Sequence, residues 1–466
     1  MKIIYKGICC LFFLFLTIHV NAQEKPNIIL IISDDAGYAD FGFQGSKEFK
    51  TPNLDKLATQ GIVFEQAYVT AAVCGPSRAG ILTGRYQQRF GFEENNVPGI
   101  MENYNLPDDE MGLPLEEKTM ANYMKSLGYR TALFGKWHQG NADQFHPTKR
   151  GFETFYGFRG GARSYYEYNE AHPTKKTEDF LEKGFKNYGE TDEYLTYTFA
   201  NAANDFIKKD DEAPFFIILS FNAVHSPMDA LKEDLGQFPK LSGKRKKLAA
   251  MTLAMDKACG SVFETIESLG IEENTLIVFT NDNGGPTDSN ASSNKPLSGT
   301  KANHLEGGIR VPFIMKYKGV LSEGERYTYP ISTLDLLPTF YQLGKGDLNQ
   351  LSNIDGVNLI PYLKGELNER PHQSLFWKKE NRAAIRDGDW KLLRFPDRPA
   401  ELYYLPNDQS EQNNLASKYP QKVQKLYKRL FEWELTLARP RWQLKRKYEG
   451  KAMERMDKYR LMEKEN

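Results

Sequence analysis

The chain has 466 residues, 40% of them apolar, which is too long and too apolar for a disordered tail or a disulfide-stapled miniprotein and leaves room for two or three domains. Its 61 Lys plus Arg are matched by 61 Asp plus Glu, giving a formal net charge of zero. No global field therefore draws it to nucleic acid or to an anionic surface, and an anion has to be recruited by a local site.

At the N-terminus, Lys2 and Lys6 precede an apolar run from Ile8 to Val20, and Val20-Asn21-Ala22 supplies a small-residue cleavage pattern. This predicts a signal peptide over 1–22, a mature chain beginning near Gln23, and delivery to the periplasm, cell surface or medium of a bacterium. The run is shorter than the ~20 residues that span a bilayer, and no later stretch is apolar enough, so no transmembrane segment is expected. Cys9 and Cys10 lie too early in the run to be lipid-accepting residues. Cleavage leaves Cys74 and Cys259. A disulfide is the simplest fate of two cysteines in an oxidising compartment. Their neighbours argue otherwise: Cys259 follows a helical apolar pattern (Leu253, Met255, Ala258), whereas Cys74 opens a polar turn, Cys74-Gly75-Pro76-Ser77-Arg78. One reads as a buried thiol, the other as a functional residue.

In chain order, the patterns predict a strand over 27–32, helices over 53–59, 77–82 and 117–127, a strand over 131–134 and a helix over 194–208. A strand over 215–221, a helix over 247–269 and strands over 276–280 and 311–315 follow. Short β-branched or aromatic runs alternating with amphipathic helices predict an α/β fold with a large mixed, mostly parallel sheet flanked by helices. Beyond 344–353, where Gly, Asn, Asp and Ser accumulate, the short segments 374–378, 383–386, 390–395 and 402–405 predict a smaller C-terminal α+β subdomain. The expected organisation is a catalytic domain over 23–345, the small-sheet subdomain over 346–440 and a basic helical tail over 441–466. Residues 421–466 carry 14 Lys plus Arg against 7 Asp plus Glu. That excess suits a solvated helix packed on the core, or contact with a membrane surface or an acidic glycan.

Polar clusters follow four of the strands: Asp34-Asp35, Gly135-Lys136-Trp137-His138, His225 and Asp282-Asn283-Gly284. Ligands of open α/β sheets bind at the carboxyl ends of strands, so the four clusters are expected to converge on one rim. Asp34, Asp35, Asp282 and Asn283 form an all-oxygen set suited to a hard cation such as calcium. No Cys/His cluster has zinc-ligand spacing. Arg78, Lys136 and Lys301 would place positive charge around a tetrahedral oxyanion, and His138 and His225 could move protons. Glu306 and Arg310, four apart, read as an ion pair fixing the loop of Lys301, with His304 beside them.

The ordered series Cys74-Gly75-Pro76-Ser77-Arg78 with Gly80 to Arg85, Asp34-Asp35-Ala36-Gly37-Tyr38, Thr51-Pro52-Asn53-Leu54-Asp55, Gly135-Lys136-Trp137-His138, Asp282-Asn283-Gly284-Gly285 and Lys301 through Pro312 resembles the type I sulfatases of the alkaline phosphatase superfamily. The segments 385–391 and 401–403 resemble that family's small second domain. The resemblance implies that a sulfatase-maturing enzyme converts Cys74 to formylglycine (3-oxoalanine) and that Asp34, Asp35, Asp282 and Asn283 hold one Ca2+ with the modified residue as a further ligand. It implies that one hydroxyl of the hydrated aldehyde attacks sulfur, that His225, with Lys301, protonates the leaving oxygen, and that His138 takes the proton from the second hydroxyl as sulfate is expelled. Arg78, Lys136 and Lys301 would offset charge on the transferring group.

The segments 89–96 and 159–172 mix aromatic and hydrogen-bonding residues, and stacking rings with polar readers suit a sugar. Arg163, His172 and His304 are the candidate substrate contacts. The expected partner is a sulfated glycan, algal (ulvan, carrageenan) or animal (glycosaminoglycan, mucin). Competing expectations are a phosphonate or phosphodiester hydrolase of the same superfamily, and a non-catalytic glycan-binding protein should Cys74 stay unmodified.

Overall fold

A computed structural model describes residues 25–97, 101–102, 104, 106–166, 179–209 and 211–461. The expected signal peptide and His172 lie outside them. The main sheet has nine strands. In chain order they are β1 (Asn27–Ser33), β2 (Ile62–Phe64), β3 (Arg130–Lys136), β4 (Thr154–Phe158), β5 (Glu182–Lys183), β6 (Phe215–Ser220), β7 (Thr275–Asn281), β8 (Phe313–Tyr317) and β9 (Glu325–Tyr327). They lie in the order β9-β2-β8-β7-β1-β6-β3-β4-β5, and the central run from β7 to β4 is parallel.

Alternation along the central strands sorts side chains to two cores. Ile29, Ile31, Phe134, Ile217 and Phe279 face one layer of helices, which includes Pro52–Thr59, Leu195–Ile207 and Gly243–Ser268. Ile28, Leu30, Leu133, Ile218 and Val278 face the other, which includes Cys74–Thr83, Met120–Ser126 and Leu336–Leu343. A sheet covered on both faces has no solvated side, which is why its strands read as continuous apolar runs.

The expected strand over 311–315 is divided. Arg310–Val311 pairs with Ala67–Tyr68 in a separate three-stranded sheet, while β8 joins the main sheet antiparallel to β7. Pro312 stands at the break, where a residue without an N–H cannot continue a ladder.

Pro52 opens the first helix, and its exposed N–H groups are met from afar: Asp256 accepts from Asn53 N at 3.1 Å, Asn53 Nδ2 at 2.8 Å and Leu54 N at 2.8 Å. That long-range cap explains the Thr-Pro-Asn-Leu-Asp segment.

The C-terminal sheet is an antiparallel meander of Ser374–Lys379, Arg382–Asp387, Trp390–Arg394 and Glu401–Tyr404. One face, with Leu375, Trp377, Ala384 and Leu393, joins the main core, and Trp377 donates to Val69 O at 2.7 Å. The other, with Ala383, Ile385, Leu392 and Leu402, is covered by Leu426, Leu430 and Trp433 of the helix Pro420–Glu434. The basic terminal region is strapped down. Trp442 is buried edge-on against Phe92, Gln443–Leu444 pairs with Met101–Glu102, and the helix Glu449–Lys458 buries Met453 and Met456. No helix of the described residues is long and apolar enough to cross a membrane.

Candidate active site

Strand register builds the site. Ser33 lies opposite Asn281 in the parallel pair β1–β7, so Asp34-Asp35 and Asp282-Asn283 leave the sheet side by side. On the other flank Gly135 lies opposite Ser220, which delivers Lys136 and the segment carrying His225 to the same rim. Asp35 and His138 leave their strands with left-handed backbone (φ 61° and 57°), conformations that non-glycine residues adopt at a cost and that concentrate at functional sites. His138 also needs a bare neighbour: a Cβ on Gly161 would stand 2.7 Å from His138 Nε2.

Cys74 is the first residue of the helix Cys74–Thr83, every residue of which is buried. Gly84 ends that helix in the left-handed conformation (φ 64°), a position suited to glycine. The helix N-terminus, with its positive dipole end, therefore faces the acidic rim. Cys74 Sγ lies 3.6 Å from Asp34 Oδ1 and 3.0 Å from Lys301 Nζ, and Lys301 also donates to Asp35 Oδ1 at 2.6 Å. One turn along, Arg78 reaches Asp282 Oδ2 at 2.9 Å, Ser220 Oγ and, at 3.6 Å, Asp34 Oδ2. Lys136 is ion-paired with Asp34. His225 Nε2 stands 3.4 Å from Asp35 Oδ2, and its Nδ1 lies 2.6 Å from Ser226 O. A carbonyl only accepts, so Nδ1 carries a proton and the second proton of an imidazolium would sit on Nε2.

Electrostatics follow from burial. Burial would raise Asp34, but Lys136, His225, Arg78 and Lys301 hold its carboxyl far below the usual range. Asp282 is pushed up to about 6 by burial and by Asp34 beside it. Burial, then Asp282, pushes the Cys74 thiol up, so a cysteine here is a neutral thiol and a poor nucleophile. Burial and the charges of Lys136 and Arg78 hold His138 neutral, and burial likewise lowers His225.

The residues fit a hard cation. Ligand atoms of Asp34, Asp35, Cys74 and His225 all lie within 4.8 Å of one another. Asp282 and Asn283 join them through Asp35: its N–H lies 3.5 Å from Asp282 Oδ1, and Asn283 Nδ2 donates to its Oδ1 at 2.7 Å. Asn283 Oδ1 is buried without a hydrogen-bond partner, an oxygen available to a cation.

A match to the sulfatase family model spans residues 26–346. The chain belongs to the sulfatase family. It is 32% identical over 385 residues to N-acetylgalactosamine-6-sulfatase of Mus musculus, covering 80% of this chain and 72% of that protein. It is 30% identical over 459 residues to steryl-sulfatase of Rattus norvegicus, covering 79% and 77%. The crystal structure of Ps i-CgsB in complex with k-i-k-neocarrahexaose resembles it with a TM-score of 0.84 at 34% identity, over 93% of this chain and 99% of that one. The reaction class of this sulfatase is sulfuric ester hydrolysis.

Other candidate residues fall outside this cluster. Arg163, expected to contact substrate, is buried and paired with Glu190 Oε2 at 2.7 Å, with further bonds to the Ser164 and Asp179 carbonyls. His304 is buried, and burial together with Arg382 and Lys379 lowers its pKa. Cys74 and Cys259, the cysteines of the described residues, are buried and free. Glu306 and Arg310 do pair, at 3.7 Å, but Glu306 is held more closely by Lys391 and Tyr68. The 89–96 loop is turned inward: Arg89 binds Asp355, and Asn95 Oδ1 accepts from Gly75 N at 2.8 Å. Ser220 and Gln139, whose Nε2 donates to Gly75 O at 2.9 Å, are site residues that sequence reasoning missed, whereas Asn95 and Gly161 lie within the segments 89–96 and 159–172 that it singled out. Tyr165 steadies the His225 segment, its hydroxyl 2.6 Å from Asn222 O and 2.9 Å from His225 O.

Proposed function

We propose that the protein is an exported sulfatase that removes sulfate esters from a sulfated carbohydrate, using a formylglycine made from Cys74 and one calcium ion. The observation that carries this reading is the position of Cys74: a neutral, buried thiol at a helix N-terminus, 3.6 Å from a carboxylate and 3.0 Å from an ammonium. A thiol is a poor partner for a hard cation, whereas an oxygen-bearing side chain at the same place is a good one. Carbohydrate is supported by relatives named N-acetylgalactosamine-6-sulfatase and by the neocarrahexaose complex of Ps i-CgsB, so carrageenan-type saccharides head the candidates.

Asp34, Asp35, Asp282 and Asn283 would hold the cation, which supplies Lewis-acid stabilisation of sulfuryl oxygens and a lowered pKa for a bound hydroxyl. The formylglycine hydrate supplies two hydroxyls, one to attack sulfur and one through which the aldehyde is regenerated. The chain's own residues do the rest. The ammonium of Lys301 anchors the side chain of residue 74 against Asp35. Arg78 and Lys136, locked by buried carboxylates, are preorganised positive charge near the developing negative charge. His225, its Nδ1 proton committed to Ser226 O, serves the leaving alcohol from Nε2 in the imidazolium form, which the Asp35 carboxylate beside it favours. His138, kept neutral, is the proton acceptor. The N-terminal segment, with its basic start and apolar run, carries export.

The test is to produce the full chain with a sulfatase-maturing enzyme and measure sulfate release from carrageenan oligosaccharides, glycosaminoglycan saccharides, 4-nitrophenyl sulfate and the corresponding phosphate ester. The Cys74 peptide should be about 18 Da lighter than unmodified cysteine. Chelation with EGTA should lower both activity and Tm, and calcium should restore both. Faster turnover of phosphate than sulfate, or activity with an unmodified Cys74, overturns the reading.

A further inference from the structure

The main-chain loop that carries Lys301 is held from the C-terminal sheet, outside the region matched by the sulfatase model. Arg382, only 6% exposed at the start of the strand Arg382–Asp387, donates from Nη1 to Ala302 O at 3.0 Å, and its Nη2 is fixed by Glu380 Oε2 at 2.9 Å. Ala302 is the residue next to Lys301 and has left-handed backbone (φ 76°), which an L side chain adopts only when held. Its own N–H donates to Ala72 O at 2.8 Å, two residues before Cys74. The two peptide groups flanking the Ala302 Cα are thus each pinned, one to the segment leading into the nucleophile and one to the C-terminal sheet.

Four residues further on, the loop is pinned again. Glu306 N donates to Glu411 Oε2 at 2.6 Å, and the buried Lys391 ammonium bridges Glu306 and Glu411 at 2.8 Å each. Immediately before the first pin, the Lys301 ammonium stands 3.0 Å from Cys74 Sγ.

We propose that Arg382 is a positioning residue for the reaction: it sets the Lys301 ammonium on residue 74 by holding the Ala302 carbonyl, so the C-terminal sheet is part of the catalytic device. This rests on the sulfatase reading for its kinetic consequence, while the clamp itself is independent of substrate. The guanidinium suits the task because its rigid fork serves two acceptors at once, one to fix the arginine and one to fix the loop. Arg382 touches no reacting atom in this arrangement. Its effect passes through Lys301.

The experiment uses the full matured chain as wild type, Arg382→Ala, Arg382→Lys, Lys301→Ala and the double variant Arg382→Ala/Lys301→Ala. Turnover of 4-nitrophenyl sulfate is normalised to the fraction of residue 74 modified by mass, and hydrogen exchange is followed over 299–306. A displacement of the ammonium by about 1 Å costs on the order of 100-fold. Arg382→Ala is therefore expected to lower kcat roughly 10- to 100-fold. Arg382→Lys, which keeps a donor for Ala302 O, should recover most of the loss. The Arg382 change should cost nothing further in the Lys301→Ala background, because coupled residues are not additive. Exchange of 299–306 should quicken in Arg382→Ala while the helix Cys74–Thr83 stays protected. Multiplying losses in the double variant, or unchanged exchange over 299–306, overturns the proposal. A wild type that cleaves no sulfate ester overturns the sulfatase reading instead, and the exchange comparison still decides the clamp. Should Arg382→Ala fail to fold, Glu380→Gln, which loosens the guanidinium without removing it, takes its place in the comparison, with Arg382→Lys kept as the donor-retaining control.

Discussion

Lys301 Nζ stands 3.0 Å from Cys74 Sγ and 2.6 Å from Asp35 Oδ1, so a single ammonium ties the position of residue 74 to the acidic rim. Burial would lower its pKa, but the Asp35 and Asp34 carboxylates raise it well above the ordinary lysine value, which keeps the charge in place throughout the working range. Lys301→Met keeps the stem and removes that charge. Its kcat on a sulfate ester should fall about 100- to 1,000-fold, the cost of losing one preorganised electrostatic contact. The far-ultraviolet circular dichroism should match wild type. A kcat within threefold of wild type would remove Lys301 from the chemistry.

The cap on the first helix is a separate matter of stability. Asp256 is pushed up to about 6 by burial and accepts from two backbone N–H groups and one amide of the neighbouring helix. Asp256→Ala leaves those donors without their acceptor and should cost about 2–3 kcal/mol by urea unfolding, with kcat per folded molecule unchanged. A loss under about 0.5 kcal/mol would mean that water replaces the cap.

Arg163 should behave as a structural residue. Its guanidinium is buried against Glu190, so Arg163→Met strands a carboxylate and should destabilise by about 2–4 kcal/mol. KM for a sulfated saccharide should remain within twofold for the folded fraction. A large rise in KM with unchanged stability would instead return Arg163 to the substrate site.

His372 sets a pH signature. Burial would lower its pKa, but the Asp335 carboxylate, 2.7 Å from Nε2, outweighs burial and raises it above 6.5. The folded state therefore binds this proton more tightly than the unfolded chain does. The resulting stability is present in full below the unfolded value and is lost as pH rises through the raised folded value. The Tm advantage of wild type over His372→Gln should accordingly be largest near pH 5.5 and shrink toward pH 8.5. A constant or growing advantage contradicts the pairing.

The parts of this molecule legible in sequence were those that local chemistry dictates. The strands Asn27–Ser33, Phe215–Ser220 and Thr275–Asn281 are buried on both faces and read as unbroken apolar runs, and the polar pairs at their ends announced the rim. Three-residue strands such as Ile62–Phe64 and Glu325–Tyr327 carry too little pattern to be seen. In the loop 89–96 the pairing of Arg89 with Asp355 and of Glu93 with Lys378 is invisible to a local reading, because those partners lie more than 250 positions away. Ser220 offered no signal at all: as the last residue of a strand it is unremarkable until Arg78 arrives.

The buried trio of Glu306, Lys391 and Glu411 has a bearing on how such a protein can change over time. Because the lysine and one acid belong to the C-terminal region and the other acid to the loop of Lys301, replacing that region with a foreign one would leave Glu306 sealed in the interior without its nearest cation. The small sheet is therefore no interchangeable cassette. Its three charges have to be inherited together, and grafting or truncation experiments should move the whole stretch through Glu411 as one unit.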